Sequence, residues 1–291
     1  RNKLPDWVKQ PSSAVVPHGV LARVLEASEN VQVASRCKDL SSKLGARPAL
    51  PEALLLSMRD AIQSLQLPES MGPALRKAVE VHGGKPGDQT WWEALKAVWA
   101  SSWNDRAYHA CSRAGIQNED VAMSVLVQQL VPAEYSFVLH TVHPTGNPSD
   151  LYGEVVVGLG EVLVGNYKGR GLAFVAPRDG SKAPCVTTLP SKQVALSSTG
   201  LIFRSDSNAE DLEDFAGAGL FDSVPVTETS DRVVEYRQEQ LVQDLAFQQK
   251  LLDGLSKLGM AVEAAAGGSP QDIEGCYADG QFFVVQTRPQ A

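Results

Sequence analysis

Four polar side chains near the end of the chain have the types and the spacing needed to hold a metal–nucleotide complex. Asp272 and Glu274 are two residues apart, and Gln286 and Arg288 repeat that spacing. Residues two apart on a strand point to the same face, so each pair shares a face. Carboxylate oxygens suit Mg²⁺, and arginine can bind phosphate oxygens through two parallel N–H groups. The pattern predicts a site for a nucleotide triphosphate with its metal.

A hairpin must bring the two pairs together. The segment Ala278-Asp279-Gly280 separates the acid pair from the apolar run at 282–285. Asp-Gly tolerates the positive φ of a tight hairpin turn. We therefore expect two antiparallel strands on which the acids, the amide and the guanidinium converge.

A second polar set follows a predicted strand that ends at Arg204 and Ser205. Ser207 and Asn208 come next, and an acid cluster and a glycine-rich turn complete the stretch. Arg204 supplies positive charge, and the hydroxyl and amide groups can donate to phosphate oxygens. The alternative is a polar surface loop whose acids face water.

Composition narrows the class of protein. The 291 residues carry a net charge of −8 and are 43% hydrophobic and 21% charged, as expected of a soluble globular protein. The negative charge argues against nucleic-acid and anionic-membrane partners, and no apolar run approaches the roughly 20 residues of a membrane span. The four cysteines are scattered, which favours neither a zinc site nor a disulfide framework. Since the chain starts at Arg1 rather than at methionine, we expect a fragment of a longer polypeptide.

Periodicity predicts a mixed α+β chain. Residues 28–86 read as largely helical, and apolar spacing predicts continuous helices over 88–114 and 236–266. From Val121 the period changes to that of strands with short turns, which indicates an antiparallel or mixed sheet.

Three further features have competing interpretations. Trp91, Trp92, Trp99 and Trp103 lie at helical spacing, which favours a core over a sugar-stacking platform. Arg106, near the end of the same helix, is either a phosphate contact or a solvated arginine. The histidines of H-T-V-H, at 140 and 143, have no glutamate base at metal-site spacing, so we expect them to be structural or solvent-facing.

Two long stretches carry a resemblance to a known family. They are R-S-D-S-N-A-E-D-L-E-D-F-A-G-A-G-L-F-D-S-V-P and S-P-Q-D-I-E-G-C-Y-A-D-G-Q-F-F-V-V-Q-T-R-P-Q. Both resemble the nucleotide-binding domain of the α-glucan, water dikinases, the starch-phosphorylating enzymes of plant and algal plastids. V-W-A-S-S-W-N-D-R-A-Y and E-V-V-V-G-L-G-E-V-L-V-G-N-Y-K-G-R also match, so the resemblance covers nearly the whole chain. More distantly the chain is similar to the ATP-grasp domains of pyruvate, phosphate dikinase and phosphoenolpyruvate synthase.

The resemblance implies an ATP-grasp fold, with two lobes and the nucleotide cleft between them. Residues 1–120 would form the helical part of the first lobe, and residues 121–291 the second. The segment 195–230 would return to the first lobe.

The resemblance also implies a dikinase reaction that uses ATP and Mg²⁺. The β-phosphate would go to an enzyme histidine outside this chain and then to a glucosyl unit of starch, and the γ-phosphate to water. The implied partners are an α-glucan and an upstream phosphohistidine domain of the same polypeptide, and the implied location is the plastid. The resemblance leaves open whether the protein forms a homodimer. The alternatives are a dikinase of the pyruvate, phosphoenolpyruvate or phosphoglucan type, or a non-catalytic glucan-binding module.

Position by position, the resemblance assigns roles to the polar residues. Asp272 and Glu274 would hold Mg²⁺, and Arg204 and Arg288 would hold the transferring phosphates. The remaining implied or candidate nucleotide contacts are Gln286, Glu161 of the G-L-G-E strand, Arg106, Ser205, and the backbone hinge beside adenine at Gln128, Gln129 and Val131.

Two departures from the pyruvate-type pattern qualify the resemblance. The Arg-Ser motif follows the G-L-G-E strand instead of preceding the V-W-A-S helix, as expected of the α-glucan type. The early glycine-lysine-serine phosphate contact of the family is not found. We therefore expect weak nucleotide binding and no complete turnover from this chain alone.

Overall fold

The computed structural model describes residues 3–46, 50–85, 87–117, 120–165, 167–212, 215–216 and 219–290. The helices are α1 Val20–Glu26, α2 Val31–Gly45, α3 Glu52–Gln63, α4 Gly72–Val81, α5 Thr90–Ala100, α6 Asp105–Arg113, α7 Glu161–Val164, α8 Gln240–Gln243 and α9 Leu245–Ala265. The strands are β1 Val8–Lys9, β2 Ser13–Val16, β3 Met123–Gln129, β4 Tyr135–His140, β5 Asp150–Val157, β6 Leu172–Pro177, β7 Cys185–Thr188, β8 Val194–Ser197, β9 Leu201–Ser207, β10 Asp211–Leu212, β11 Phe215–Ala216, β12 Ser223–Pro225, β13 Ser230–Val233, β14 Gln271–Ala278 and β15 Gln281–Pro289. The expected mixture of helices and strands is confirmed.

The chain divides into two compact units. The helical unit comprises Ser12–Leu130 and Gly200–Glu228, and the sheet unit comprises Arg1–Pro11, Val131–Thr199 and Thr229–Ala291. This division differs from the expected boundary at residue 120. The reason is that β3 pairs on one side with β2 and on the other with β9, both of which lie in the helical unit.

The tryptophans build the core of the helical unit. Trp91, Trp92 and Trp99 are at most 4% exposed, and Trp103 packs against the same apolar cluster. Their rings meet edge to face, with centroids 5.8 Å apart between Trp92 and Trp99. The core interpretation is correct, and these rings do not present a surface for sugars.

The predicted helix over 88–114 is two helices. After α5 the chain makes a short 3₁₀ turn, and Asn104 then caps α6 by accepting a hydrogen bond from the Ala107 N–H at 2.7 Å. Asparagine side chains favour this N-cap role over a helix interior.

A four-stranded antiparallel sheet lies in the helical unit, in the order β12-β9-β3-β2. Val125, Val127 and Phe203 point to its inner face and join the core that includes Trp99 on α5. The residues that alternate with these along each strand point to the opposite, outer face. Leu126 is one of them, and several of the others are polar.

Among the described residues, the sheet unit contains a seven-stranded sheet with the strand order β1-β15-β14-β4-β5-β6-β7. Helix α9 packs on one face, where Leu255 and Leu258 meet Leu139, Phe174 and Ile273. The predicted helix over 236–266 is again interrupted: Asp244 lies between α8 and α9 and caps α9 through the N–H groups that follow it.

The short strands form two further pairs, β10 with β11 and β13 with β8. None of the helices that the structure describes is long and apolar enough to cross a membrane.

Candidate functional site

A β-bulge decides where the last polar pair of the chain points. Strands β14 and β15 form the expected hairpin, with Asp279 at φ 49° and Gly280 at φ 75° in the turn. From the turn to Gly275, β14 and β15 pair in one register. Between Gly275 and Glu274 the register shifts by one residue, so that Val285 is the extra, bulged residue of β15. A regular hairpin would have set Gln286 opposite Ile273, on the face that α9 covers.

The bulge brings all four predicted side chains to one face. It pairs Glu274 with Gln286 and Asp272 with Arg288, so that the two acids, the amide and the guanidinium lie together. This face is opposite to the one on which α9 packs, because Ile273 belongs to the apolar core beneath the helix. We call it the acid face.

Arg288 is fixed by its cross-strand partner. Its Nε and Nη2 donate to the same oxygen of Asp272, Oδ2, at 3.0 and 2.8 Å. The Asp272 side chain is 12% exposed, so this charge-assisted pair is largely shielded from water. The carboxylate therefore holds the plane of the guanidinium in one orientation.

Two neighbouring strands extend the acid face. On β4, His140 lies between its cross-strand partners Asp272 on β14 and Tyr152 on β5. In the next row of the sheet, Val138 lies between Glu274 and Glu154. The Tyr152 hydroxyl donates to Glu154 Oε1 at 2.6 Å. Burial and the neighbouring Glu154 raise the pKa of Tyr152, so the phenol stays protonated and keeps donating.

The cysteine on the same face is not a nucleophile at neutral pH. Cys276 is two residues beyond Glu274 on β14 and is buried. Burial raises the pKa of its thiol to about 12, and the reactive form of cysteine is the thiolate.

The acid face fits a Mg²⁺ ion bound partly by phosphate oxygens. Asp272 Oδ1 is buried and has no hydrogen-bond partner among the described residues, and the carboxylate of Glu274 is two residues away on the same face. The described residues hold no cluster of three or more acids, histidines or cysteines that would enclose a metal. Mg²⁺ is commonly bound by one or two carboxylates together with substrate phosphates, which matches this donor set.

Glu161 lies beside the acid face, but on a helix. It is the exposed first residue of α7, after β5 has ended at Val157, so the expected strand position is wrong. Val162 of α7 packs on Val156, which points to the acid face two residues beyond Glu154. The turn at Gly158, with φ 78°, directs the chain from the strand into this helix.

In the helical unit, Arg204 and Gln128 share the outer face of the four-stranded sheet. Arg204 pairs with Leu126, and Gln128 pairs with Ile202 in the adjacent row. Arg204 is partly buried and Gln128 is 5% exposed. Both side chains belong to the face that does not carry the helix-covered core.

Ser205 and Gln129 belong to the other face of that sheet. Ser205 pairs with Val125, which is fully buried beneath the helices, so it points away from the face of Arg204. The N–H of Gln129 donates to Ser12 O at 2.8 Å and is thus already used within the sheet. Val131 is the first residue of the sheet unit after β3.

Arg106 has a protein partner on the surface. Its Nη2 donates to Asp222 Oδ1 at 2.7 Å, and both side chains are well exposed. Asn104 and Ser101 hold the same segment, through Leu220 O and the Asp222 N–H. A surface ion pair of this kind contributes about 1 kcal/mol or less, so Arg106 could exchange Asp222 for another anion at little cost.

The sequence analysis gave no role to Tyr152 or Glu154, and it expected His140 to be structural or solvent-facing, whereas all three lie on the acid face. All three lie on strands that the sequence predicts. The two-residue spacing of Tyr152 from Glu154, and of His140 from Val138, could also be read from the sequence. The missing information was which strands are neighbours, because only the order β14-β4-β5 sets these side chains beside Asp272 and Glu274.

The chain is similar to known proteins over its whole length. Residues 84–170 match the family model described as the pyruvate phosphate dikinase AMP/ATP-binding domain. The whole chain is 42% identical to the chloroplastic α-glucan water dikinase of Citrus reticulata and covers 20% of it. It is 39% identical to α-glucan water dikinase 2 of Arabidopsis thaliana, of which it covers 23%.

A more distant relative has a different name. Phosphoenolpyruvate synthase of Pyrococcus furiosus is 26% identical over 87% of this chain, which covers 27% of that protein. The chain thus spans about a fifth of the length of the plant relatives that it matches.

Proposed function

We propose that the chain is the ATP-binding domain of a glucan dikinase, because it is 42% and 39% identical over its whole length to two plant α-glucan water dikinases. The match to the AMP/ATP-binding domain family supports an adenine nucleotide as the ligand. The names of the plant relatives support an α-glucan as the substrate of the whole protein and the chloroplast as its location. The observation that supports the proposal most is the convergence of Asp272, Glu274, Gln286 and Arg288 on the acid face.

The proposed fold is of the ATP-grasp type, with the nucleotide between two lobes. In this proposal the acid face offers the metal and phosphate contacts of the sheet unit, and the outer face with Arg204 and Gln128 offers those of the helical unit. Adenine would lie beside the backbone of residues 128–131. Ser205 is the weakest of the candidates, since its pairing with Val125 turns it toward the core.

The proposed chemistry is phosphoryl transfer, in which positioning and charge neutralisation supply most of the catalysis. Asp272 and Glu274 would hold Mg²⁺, which neutralises phosphate oxygens when bound. Arg288, oriented by Asp272, and Arg204 would bind the phosphates that are transferred. The β-phosphate would pass to a histidine outside this chain and then to a glucosyl hydroxyl, and the γ-phosphate would pass to water.

A chimeric enzyme tests the whole proposal. The chain replaces the corresponding region of the Citrus enzyme, and β-labelled and γ-labelled ATP are followed separately. We expect label from the β-position in the glucan and label from the γ-position in orthophosphate. Label from the γ-position in the glucan, or ADP as the product, would contradict a dikinase reaction. The chain alone should not phosphorylate glucan.

A second candidate function is a dikinase that acts on pyruvate or phosphoenolpyruvate instead of a glucan. The likeness to phosphoenolpyruvate synthase favours it. A second chimera, in which the chain replaces the corresponding region of the Pyrococcus synthase, tests this class. AMP formation that depends on pyruvate in that chimera, together with no glucan-dependent AMP in the Citrus chimera, would favour it. The glucan-binding module built on tryptophans loses its basis, since Trp91, Trp92 and Trp99 are buried.

A further inference from the structure

Two buried polar atoms lie near each other on the acid face without forming a hydrogen bond. Asp272 Oδ1 and His140 Nδ1 are 3.9 Å apart, and neither has a partner in the part of the chain that the structure describes. An N–H···O hydrogen bond requires a separation of about 3.2 Å or less. Because a buried polar atom without a partner costs free energy, a small approach would relieve both atoms at once.

The residues around His140 favour Asp272 as its hydrogen-bond partner. The backbone of β4 sets His140 between Asp272 on β14 and Tyr152 on β5. The rings of His140 and Tyr152 stack, with centroids 6.2 Å apart and planes at 28°. The other Asp272 oxygen already accepts two hydrogen bonds from Arg288, so Oδ1 is the oxygen that lacks a donor among the described residues.

We propose that His140 is a positioning residue, whose Nδ1–H donates to Asp272 Oδ1 and aligns this carboxylate for Mg²⁺ and nucleotide. Each carboxylate oxygen has two lone pairs, so Oδ1 can accept from His140 and still face a metal. The inference deepens the proposed function, since it gives Asp272 its role there.

A neighbouring histidine provides an internal reference. His143 Nδ1 accepts hydrogen bonds from the N–H groups of Thr145 and Gly146, at 3.2 and 2.7 Å. Its neutral ring must therefore carry the proton on Nε2. His140, in contrast, must carry it on Nδ1 if it donates to Asp272.

The first test needs no ligand. Long-range ¹H–¹⁵N spectra of the chain, recorded at about pH 8 where an ordinary histidine is neutral, report the tautomer of each ring. We expect the proton on Nδ1 in His140 and on Nε2 in His143, and Asp272→Asn should shift only His140. His140 with its proton on Nε2, unchanged by Asp272→Asn, would overturn the proposal.

The second test compares two substitutions. Asparagine can place its amide nitrogen near the position of Nδ1, whereas glutamine places it near Nε2. The Mg²⁺ dependence of ATP binding should weaken about 10–100-fold in His140→Gln, as is typical when the partner of a metal-binding group is lost, and be largely restored in His140→Asn. ATP binding without Mg²⁺ should not change.

The outcomes separate this inference from the proposed function. Equal Mg²⁺ dependence in the unsubstituted chain and His140→Gln, or equal losses in both variants, would refute the role of His140. If the unsubstituted chain shows no Mg²⁺-dependent binding, the proposed function fails, and the tautomer measurement still decides whether His140 donates to Asp272.

Discussion

Arg288 directs its Nε and Nη2 hydrogen bonds to a single oxygen of Asp272, at 3.0 and 2.8 Å. The two residues are directly opposite each other on β14 and β15 only because of the bulge at Val285. A one-residue shift of register would move Arg288 to the other face of the sheet. The orientation of this guanidinium therefore depends on the backbone as much as on its partner.

Arg288→Lys should weaken Mg·ATP binding by about 10-fold or more, because an ammonium group cannot reproduce the planar fork of donors. Titration calorimetry at high nucleotide concentration measures the change. The matched control is Arg232→Lys, since Arg232 makes an ion pair with Glu239 in the same unit but on β13. Equal effects of the two substitutions would show that the guanidinium of Arg288 has no special role.

Gly275→Ala should destabilise the sheet unit by about 1–3 kcal/mol, the usual cost of overpacking. A Cβ at this position would lie 2.3 Å from Phe283 O and 2.4 Å from Phe137 Cζ. Gly259→Ala in α9 is the control, because its Cβ would meet the nearest atom at 3.6 Å and alanine favours a helix. Denaturant unfolding compares them, and a Gly275→Ala variant as stable as Gly259→Ala would be inconsistent with the packing at the bulge.

Arg178→Met should cost about 3–5 kcal/mol of unfolding free energy, because it leaves the buried carboxylate of Glu263 without its cation. Glu263 is 6% exposed and accepts hydrogen bonds from Arg178 Nη2 at 2.7 Å and from the Thr141 hydroxyl. The double variant Arg178→Met/Glu263→Gln should recover part of the loss. Additive effects of the two single changes would show that the pair is not coupled.

Thiol reactivity should divide the four cysteines. Cys185 is exposed, whereas burial raises the pKa of Cys37, Cys111 and, to about 12, Cys276. Ellman's reagent should therefore modify one thiol rapidly in the folded chain and four after denaturation. A second thiol reacting as fast in the folded chain would contradict the assigned burial.

The same shifts predict a pH dependence of stability. A folded-state pKa above the unfolded value of about 8.5 favours the neutral thiol. This contribution is complete below that pH and is lost as the pH rises toward the folded value of about 12 for Cys276. Cys276→Ser should flatten the alkaline decline in unfolding free energy.

Local patterns predicted the hairpin, the tryptophan core and most helices, because each depends on neighbouring residues. Asp279-Gly280 identified the turn, and the spacing of Trp92 and Trp99 identified the buried face. The helix breaks at Asn104 and Asp244 were missed, since each is one capping residue inside a long apolar period.

The relations across strands could not be predicted in the same way. A bulge at Val285 leaves no periodic signal, yet it decides the face of Gln286 and Arg288. Whether His140 lies beside Asp272 depends on strand order, which is a property of the tertiary fold.

Binding of ATP to the chain with and without Mg²⁺, before and after Glu274→Gln, tests the central claim most directly. Equilibrium dialysis with labelled ATP suits the weak binding that we expect, and Glu235→Gln, an exposed acid of the same unit, is the matched control. We predict that Mg²⁺ strengthens binding to the unsubstituted and control chains, and that Glu274→Gln removes most of this gain. A Mg²⁺ effect of the same size in all three chains would contradict the assignment of the acid face as the metal–nucleotide site.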